Sequence, residues 1–320
     1  MLQLVAAALA ALLLLPHAIA HAQPYPSKPI RFVLPFGPGS ASDTLARIAG
    51  QELSQAVGQP IVILNKPGAD GALAAIEVKR SAPDGYTFLF GTNSPLGVVP
   101  HIRKEPPYDV LADFTPVTYL GDNAFFIVVH PSVPAHSLAE LIAYAKANPK
   151  KLNYASGNTY AIVATAMFAA NAGIEMVHVP YKSEPEAIPD LLSGQVHLIN
   201  ATSTTVAQHV KGGKLRAIAA TFHERSAVLP DVPSIVEAGQ PKFPISPWFA
   251  LVGPAGLPPE IVARMNKEMA AVLANPAVRQ QMMQQGFTPR SSTPEELSAF
   301  LKDQIPVWKK ALALAGIEPQ

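Results

Sequence analysis

Two short segments of this 320-residue chain carry residue types that can hold an anion without opposing it with a full charge. In the first, the apolar run Pro29 to Pro35 ends in Phe36-Gly37-Pro38-Gly39-Ser40-Ala41-Ser42-Asp43. Apolar residues then recur at helical spacing at Leu45, Ile48, Ala49, Leu53 and Val57. In the second, Leu152-Asn153-Tyr154 leads into Ala155-Ser156-Gly157-Asn158-Thr159, and a helical stretch follows from Ala161 to Ala172. A helix N-terminus leaves backbone N–H groups without partners, and the helix dipole places partial positive charge there. Glycine lets the backbone approach a ligand closely, and serine or threonine hydroxyls add donors, so each junction can cradle an anion. Neither loop contains Lys or Arg, which suits a ligand that must be released again. The same residues also serve as ordinary caps and turn formers, so the reading rests on there being two such loops. Replacing Gly157 by Leu is expected to block the ligand and spare the fold.

Other chemistries find less support. Gly37-Pro38-Gly39-Ser40-Ala41-Ser42 is a degraded dinucleotide fingerprint, but Pro38 removes a donor and the next strand ends in Asn65-Lys66, without a carboxylate for a ribose. There is no Gly-x-Ser-x-Gly elbow, no His-Glu-x-x-His and no Ser-x-x-Lys. The nine histidines are scattered, and His178 and His197 on predicted strands read as hydrogen-bonded structural residues. Asn65-Lys66-Pro67-Gly68-Ala69-Asp70-Gly71 reads as a tight loop needing positive φ at a glycine. Tyr181-Lys182 follows a strand and could reach a ligand.

The elements that would position these loops alternate strand, loop and helix. Strands are expected at Ile61–Leu64, Tyr86–Phe90, Phe125–His130, Met176–Pro180, Val196–Asn200 and Leu215–Thr221, with one more at Trp248–Val252. Ser137-Leu138-Ala139-Glu140 and Thr293-Pro294-Glu295-Glu296 are capping-box patterns that open helices, while Gly58 and Gly173 end them. This rhythm predicts an α/β chain with mainly parallel sheets flanked by helices. Without a linker or internal repeat, it suggests two lobes joined by crossings near Asp122–Phe125 and Lys242–Trp248. Lobe 1 is then 23–124 with 241–320, and lobe 2 is 125–240.

Composition narrows the classes further. With no cysteine, thiol catalysis, Cys-zinc sites, disulfides and a lipid-bearing N-terminal Cys are excluded. A net charge of +1 with 15% charged residues gives no basic stripe for nucleic acid. At the start, the apolar run Val5 to Leu15 is broken by Pro16 and followed by Ala20-His21-Ala22, the pattern of a signal-peptidase site. Residues 1–22 are therefore expected to be removed on export, although no Lys or Arg precedes the run. It is also shorter than the roughly 20 residues a membrane span requires.

Taken together, the motifs resemble the Bug-type receptors of tripartite tricarboxylate transporters. Ile30-Arg31-Phe32-Val33-Leu34-Pro35-Phe36-Gly37-Pro38-Gly39-Ser40-Ala41-Ser42-Asp43 is similar to the first signature of that family. Asn65-Lys66-Pro67-Gly68-Ala69, Pro83-Asp84-Gly85-Tyr86-Thr87, Tyr154-Ala155-Ser156-Gly157, His178-Val179-Pro180-Tyr181-Lys182 and Leu229-Pro230-Asp231-Val232-Pro233 follow in family order and span the mature chain. The resemblance implies a two-lobed type II periplasmic-binding-protein fold that closes about a hinge and hands solute to membrane transporter subunits. It implies no catalysis and no cofactor; the scattered histidines give no reason to expect a metal, and a monomer is expected.

The family's ligand contacts carry onto Gly39, Ser40, Ala41, Ser42 and Asp43, and onto Ser156, Gly157, Asn158 and Thr159, with Phe36 and Tyr181 completing the expected set around a small carboxylate. Two positions depart from the pattern: Ser40 stands where a second glycine is common, and Thr159-Tyr160-Ala161-Ile162-Val163 lacks the usual glycine, small residue and histidine. Two other readings stay open, an exported sensor that docks on a signalling receptor and an exported enzyme using the same cleft.

Overall fold

The computed structural model describes residues 25–222 and 224–319, so the expected signal segment lies outside the described residues. The chain begins with β1 (Ile30–Leu34), α1 (Ala41–Val57), β2 (Ile61–Asn65), α2 (Ala72–Lys79) and β3 (Thr87–Thr92). A π-turn, Ser94–Val98, runs into the short α3 (Val99–Ile102), and β4 (Phe114–Asn123) follows. The next block is β5 (Phe125–Val129), α4 (Leu138–Ala147), β6 (Asn153–Ser156), α5 (Thr159–Ala172), β7 (Val177–Pro180), α6 (Glu184–Leu192), β8 (Leu198–Thr202), α7 (Ser203–Lys211) and β9 (Arg216–Ala220). The last is β10 (Trp248–Pro254), α8 (Pro259–Ala274), α9 (Pro276–Gln284), β11 (Phe287–Pro289) and α10 (Pro294–Leu314).

Local chemistry explains most boundaries. Gly58 at φ 70° and Gly173 at φ 63° take the left-handed conformation that ends α1 and α5, as their positions predict. Thr293 and Glu296 form the complete capping box of α10. At α4 only half of the expected box forms. Ser137 accepts the Glu140 N–H, but the Glu140 carboxylate takes the His136 N–H one residue earlier.

Two sheets result, ordered β11-β4-β10-β3-β1-β2 and β7-β6-β8-β5-β9. Alternate residues of each strand feed the packing on opposite faces. In the first sheet Phe32, Phe88, Phe90 and Phe249 lie in one core, and Val33, Leu89, Trp248 and Val252 in the other. The second sheet likewise divides Ile127 and Val129 from Phe126 and Val128.

The two-lobed α/β architecture matches the sequence reading, but the sheets are mixed. Pairing is parallel where β1 joins β2 and β3, and where β6 joins β7 and β8. It is antiparallel around β10 and β5. The reason is topological. The chain passes between the sheets from β4 to β5 and from β9 to β10, so β5 and β10 start at the gap between lobes and run away from it. Their neighbours run toward it, which brings the carboxyl ends of β1, β3, β6 and β8 together there.

Candidate ligand-binding cleft

A cavity lies where those carboxyl ends converge, with residues from both lobes in its wall. The first lobe contributes Phe36, Ser40, Ala41 and Ser42 between β1 and α1, then Thr92, Asn93 and Ser94 at the end of β3. The second contributes Gly157 and Asn158 between β6 and α5, Glu184 at the start of α6 and Thr202 at the end of β8. Phe125, Pro247 and Phe249, beside the two crossings, form an apolar wall. This is where ligands bind in open α/β sheets. The free space is about 30 Å³, enough for one or two waters. That space is too small for a ligand of several carbon atoms.

The N-termini of α1, α5, α6 and α7 converge on the cavity, with Thr202 at the N-cap position of α7. Ser40 caps α1 by accepting the Asp43 N–H at 3.4 Å, and its hydroxyl lies 3.1 Å from that of Ser42. Asn158 caps α5, its Oδ1 taking the Ala161 N–H at 2.9 Å. Ser183 holds the N-cap position of α6 with extended backbone. Across the gap, the Thr159 N–H donates to Ser94 Oγ at 3.3 Å. The side chain of Asn93 is buried, and its Nδ2 has no hydrogen-bond partner. An unpaired buried donor is costly, and at a cavity wall a ligand acceptor would relieve it.

Among the described residues Glu184 is the one ionisable residue in the wall. Its carboxylate is buried and surrounded by neutral donors. Oε2 accepts from Thr202 N at 3.0 Å, Thr202 Oγ1 at 2.6 Å and Thr205 Oγ1 at 2.8 Å. Oε1 accepts from Asn158 Nδ2 at 2.7 Å. Burial pushes the carboxyl above its ordinary range, and these hydrogen bonds offset only part of that rise.

Of the residues expected to contact ligand, Phe36, Ser40, Ala41, Ser42, Gly157 and Asn158 line the cavity. Gly39, Asp43, Ser156, Thr159 and Tyr181 are not in its wall, each for a physical reason. Gly39 is exposed at the loop tip, where its N–H donates to Asp43 Oδ2 at 3.0 Å. Asp43 is also gripped by Arg47 through both carboxylate oxygens, at 3.1 and 2.9 Å, and acts as a brace for the loop. Burial opposes its charge, but the bonds from Arg47, Gly39 and Asn65 prevail and hold the carboxyl below its ordinary range.

Ser156 Oγ is hydrogen-bonded at 2.6 Å to His178 Nε2, and that imidazole stacks on Tyr154. The Tyr181 hydroxyl donates to Asp190 at 2.6 Å. Thr159 faces a second cavity of about 400 Å³ beside Asp70, Arg103 and His178. Arg103 and Asp70 pair there at 3.1 Å, so among the described residues the one arginine of that cavity already faces a carboxylate. His197, read as structural, accepts the Asn153 N–H on Nδ1 at 2.9 Å.

The effect expected of Gly157→Leu needs correcting. A Cβ at Gly157 would overlap the backbone of Ser183 and Glu184, so any side chain there displaces the start of α6. The fold would not be spared.

Residues 45–316 match the family model described as the Tripartite tricarboxylate transporter family receptor. The chain belongs to this family. Protein BugT of Bordetella pertussis is 36% identical over 298 residues, covering 92% of this chain and 91% of that protein. Among solved structures, R. palustris Rpa4515 with adipate is 32% identical, with a TM-score of 0.89 and coverage of 92% of this chain and 100% of that one. MatC from Rhodopseudomonas palustris, with bound malate, is 28% identical, with a TM-score of 0.84 and coverage of 90% and 100%.

Several wall residues of this receptor were not anticipated from sequence: Thr92, Asn93, Ser94, Phe125, Glu184, Thr202, Pro247 and Phe249. One signal was available for the first three. Gly91-Thr92-Asn93-Ser94 is a small, polar run directly after an apolar strand, the same form as the two loops that were recognised. A larger groove of about 870 Å³ runs past Gln208, Lys211, Arg279 and Gln285, away from the converging strand ends and helix caps.

Proposed function

We propose that this receptor is a periplasmic solute-binding protein that captures a small organic carboxylate between its lobes and delivers it to membrane transporter subunits. The lobes are 23–124 with 241–320, and 125–240, closing about the two crossings. The observation that carries this reading is the convergence of the α1 and α5 N-termini on one cavity whose wall also holds Asn93, with its unpaired Nδ2. Backbone N–H groups, hydroxyls and an amide can satisfy carboxylate oxygens there without a permanent cation. The adipate and malate held by the two relatives belong to the same chemical class.

The test is a screen of purified protein against C3–C8 mono- and dicarboxylates by calorimetry, with scattering on the same samples. A ligand at about 100 times its Kd adds about 2.7 kcal/mol of stability, which raises the melting temperature of a chain this long by about 5 °C. The radius of gyration should fall in the same sample, because ligand favours the closed form by its differential affinity. Methyl esters of the acids should do neither. Hydrolysis or other consumption of a bound acid would replace this reading with an enzymatic one.

A further inference from the structure

We propose that Glu184 makes the cleft selective for carboxylates that also carry a positively charged nitrogen, the amino acids being the simplest such class. The inference rests on the carboxylate reading of the same site and goes further by naming the ligand's second charge.

Among the described residues the cavity wall contains no Lys, Arg or His, and its single ionisable side chain is an acid. Among the described residues no ion pair to Glu184 forms, although the carboxylate is almost wholly buried, 5% exposed. All four of its donors come from Asn158, Thr202 and Thr205, which are neutral. A buried carboxylate without a cation is costly, so a cationic ligand group placed beside it removes a penalty that the protein otherwise carries. A dicarboxylate would instead bring two more negative charges into a closed space that offers only dipoles.

The geometry divides the two carboxylate oxygens. Oε2 already takes three donors, whereas Oε1 takes only the Asn158 amide and retains an acceptor position. Asn158 and Thr202, which hold the two oxygens, both line the cavity, so the acid sits at its edge. The α1 cap and Asn93 lie on the other lobe. A ligand with a carboxylate toward Ser40 and Asn93 and an ammonium toward Glu184 would bridge the lobes with opposite charges. Its carbon skeleton would meet Phe36, Phe125 and Phe249.

The experiment compares acids that share a skeleton and differ only in the amino group: succinate with aspartate, glutarate with glutamate, 4-methylpentanoate with leucine, and 3-phenylpropionate with phenylalanine. Kd values are measured by calorimetry for the wild-type protein and Glu184→Gln, with melting curves confirming that the variant folds. In at least one pair the amino member should bind ten-fold or more tightly than its partner, and N-acetylation should abolish that preference. Glu184→Gln should reduce the preference at least ten-fold, chiefly by weakening the amino member. The wild-type pairs and the acetylated compounds decide the question even if the variant does not fold.

Equal or tighter binding of the deaminated acids would overturn the proposal while leaving carboxylate capture intact. No binding by any member of any pair would count against both readings.

Discussion

The backbone N–H of Thr159 donates to the side chain of Ser94 across the gap, at 3.3 Å, and so joins the first turn of a helix in one lobe to a loop of the other. A hydrogen bond of this length contributes at the low end of the usual range, about 0.5–1 kcal/mol. Ser94→Ala should therefore shift the ligand-free protein toward the open form by about two- to five-fold. Scattering without ligand should show a larger radius of gyration, and an unchanged curve would mean that the contact does not hold the lobes together.

Asn93 offers a different test, because its Nδ2 has no bond to lose in the ligand-free protein. Asn93→Ala should weaken carboxylate binding by about 1.5–3 kcal/mol, the value of a hydrogen bond to a charged group. The ligand-free melting temperature should change little. A large loss of stability with full affinity would reverse this assignment.

Asp43 is expected to act through the fold. Its carboxyl is held below the ordinary range, so its brace contributes fully above that range and is lost as pH falls through the lowered value. Arg47 is 56% exposed, which screens the pair and limits its worth to about 1 kcal/mol. Asp43→Asn should cost about that much in urea denaturation at pH 7. In buffer acidic enough to protonate the native carboxyl, the wild type and the variant should converge.

Gly157→Ala should be destabilising even though alanine is small, because the added Cβ meets backbone that cannot swing aside. A loss of about 1–3 kcal/mol is expected, as for an overpacked core, together with weaker binding as Glu184 is displaced. Wild-type stability in urea would show that the α6 turn yields more easily than its contacts suggest.

The sequence made the local parts of this site readable and concealed its assembly. The turn from β1 into α1 is written in adjacent residues: an apolar run, glycines, and Ser40 three residues before Asp43. By contrast β4 passed unnoticed, because Thr115, Pro116, Thr118 and Gly121 interrupt its apolar pattern. It is a strand because β10 and β11 pair with it from more than 120 residues away. Nothing in the sequence singles out Glu184, one of two acids in the first turn of α6. Only the packing of α6 between Asn158 and Thr202 buries it. Asp43 misled in the opposite sense, since nothing in a loop motif shows that Arg47, one helical turn on, already occupies the carboxylate.

The last helix bears on how the whole body moves. Leu297 and Leu301 near the start of α10 are rooted in the core of the first sheet, whereas Trp308, Ala311 and Leu312 are rooted in that of the second. Pro306 falls between these two anchorages, where its ring removes one rung of the backbone ladder and leaves the helix most compliant. A rod clamped at both ends and softened near its middle resists twist and sliding but yields to flexure. Sequence changes at that midpoint would therefore alter how easily the two cores flex against each other without touching the cavity wall.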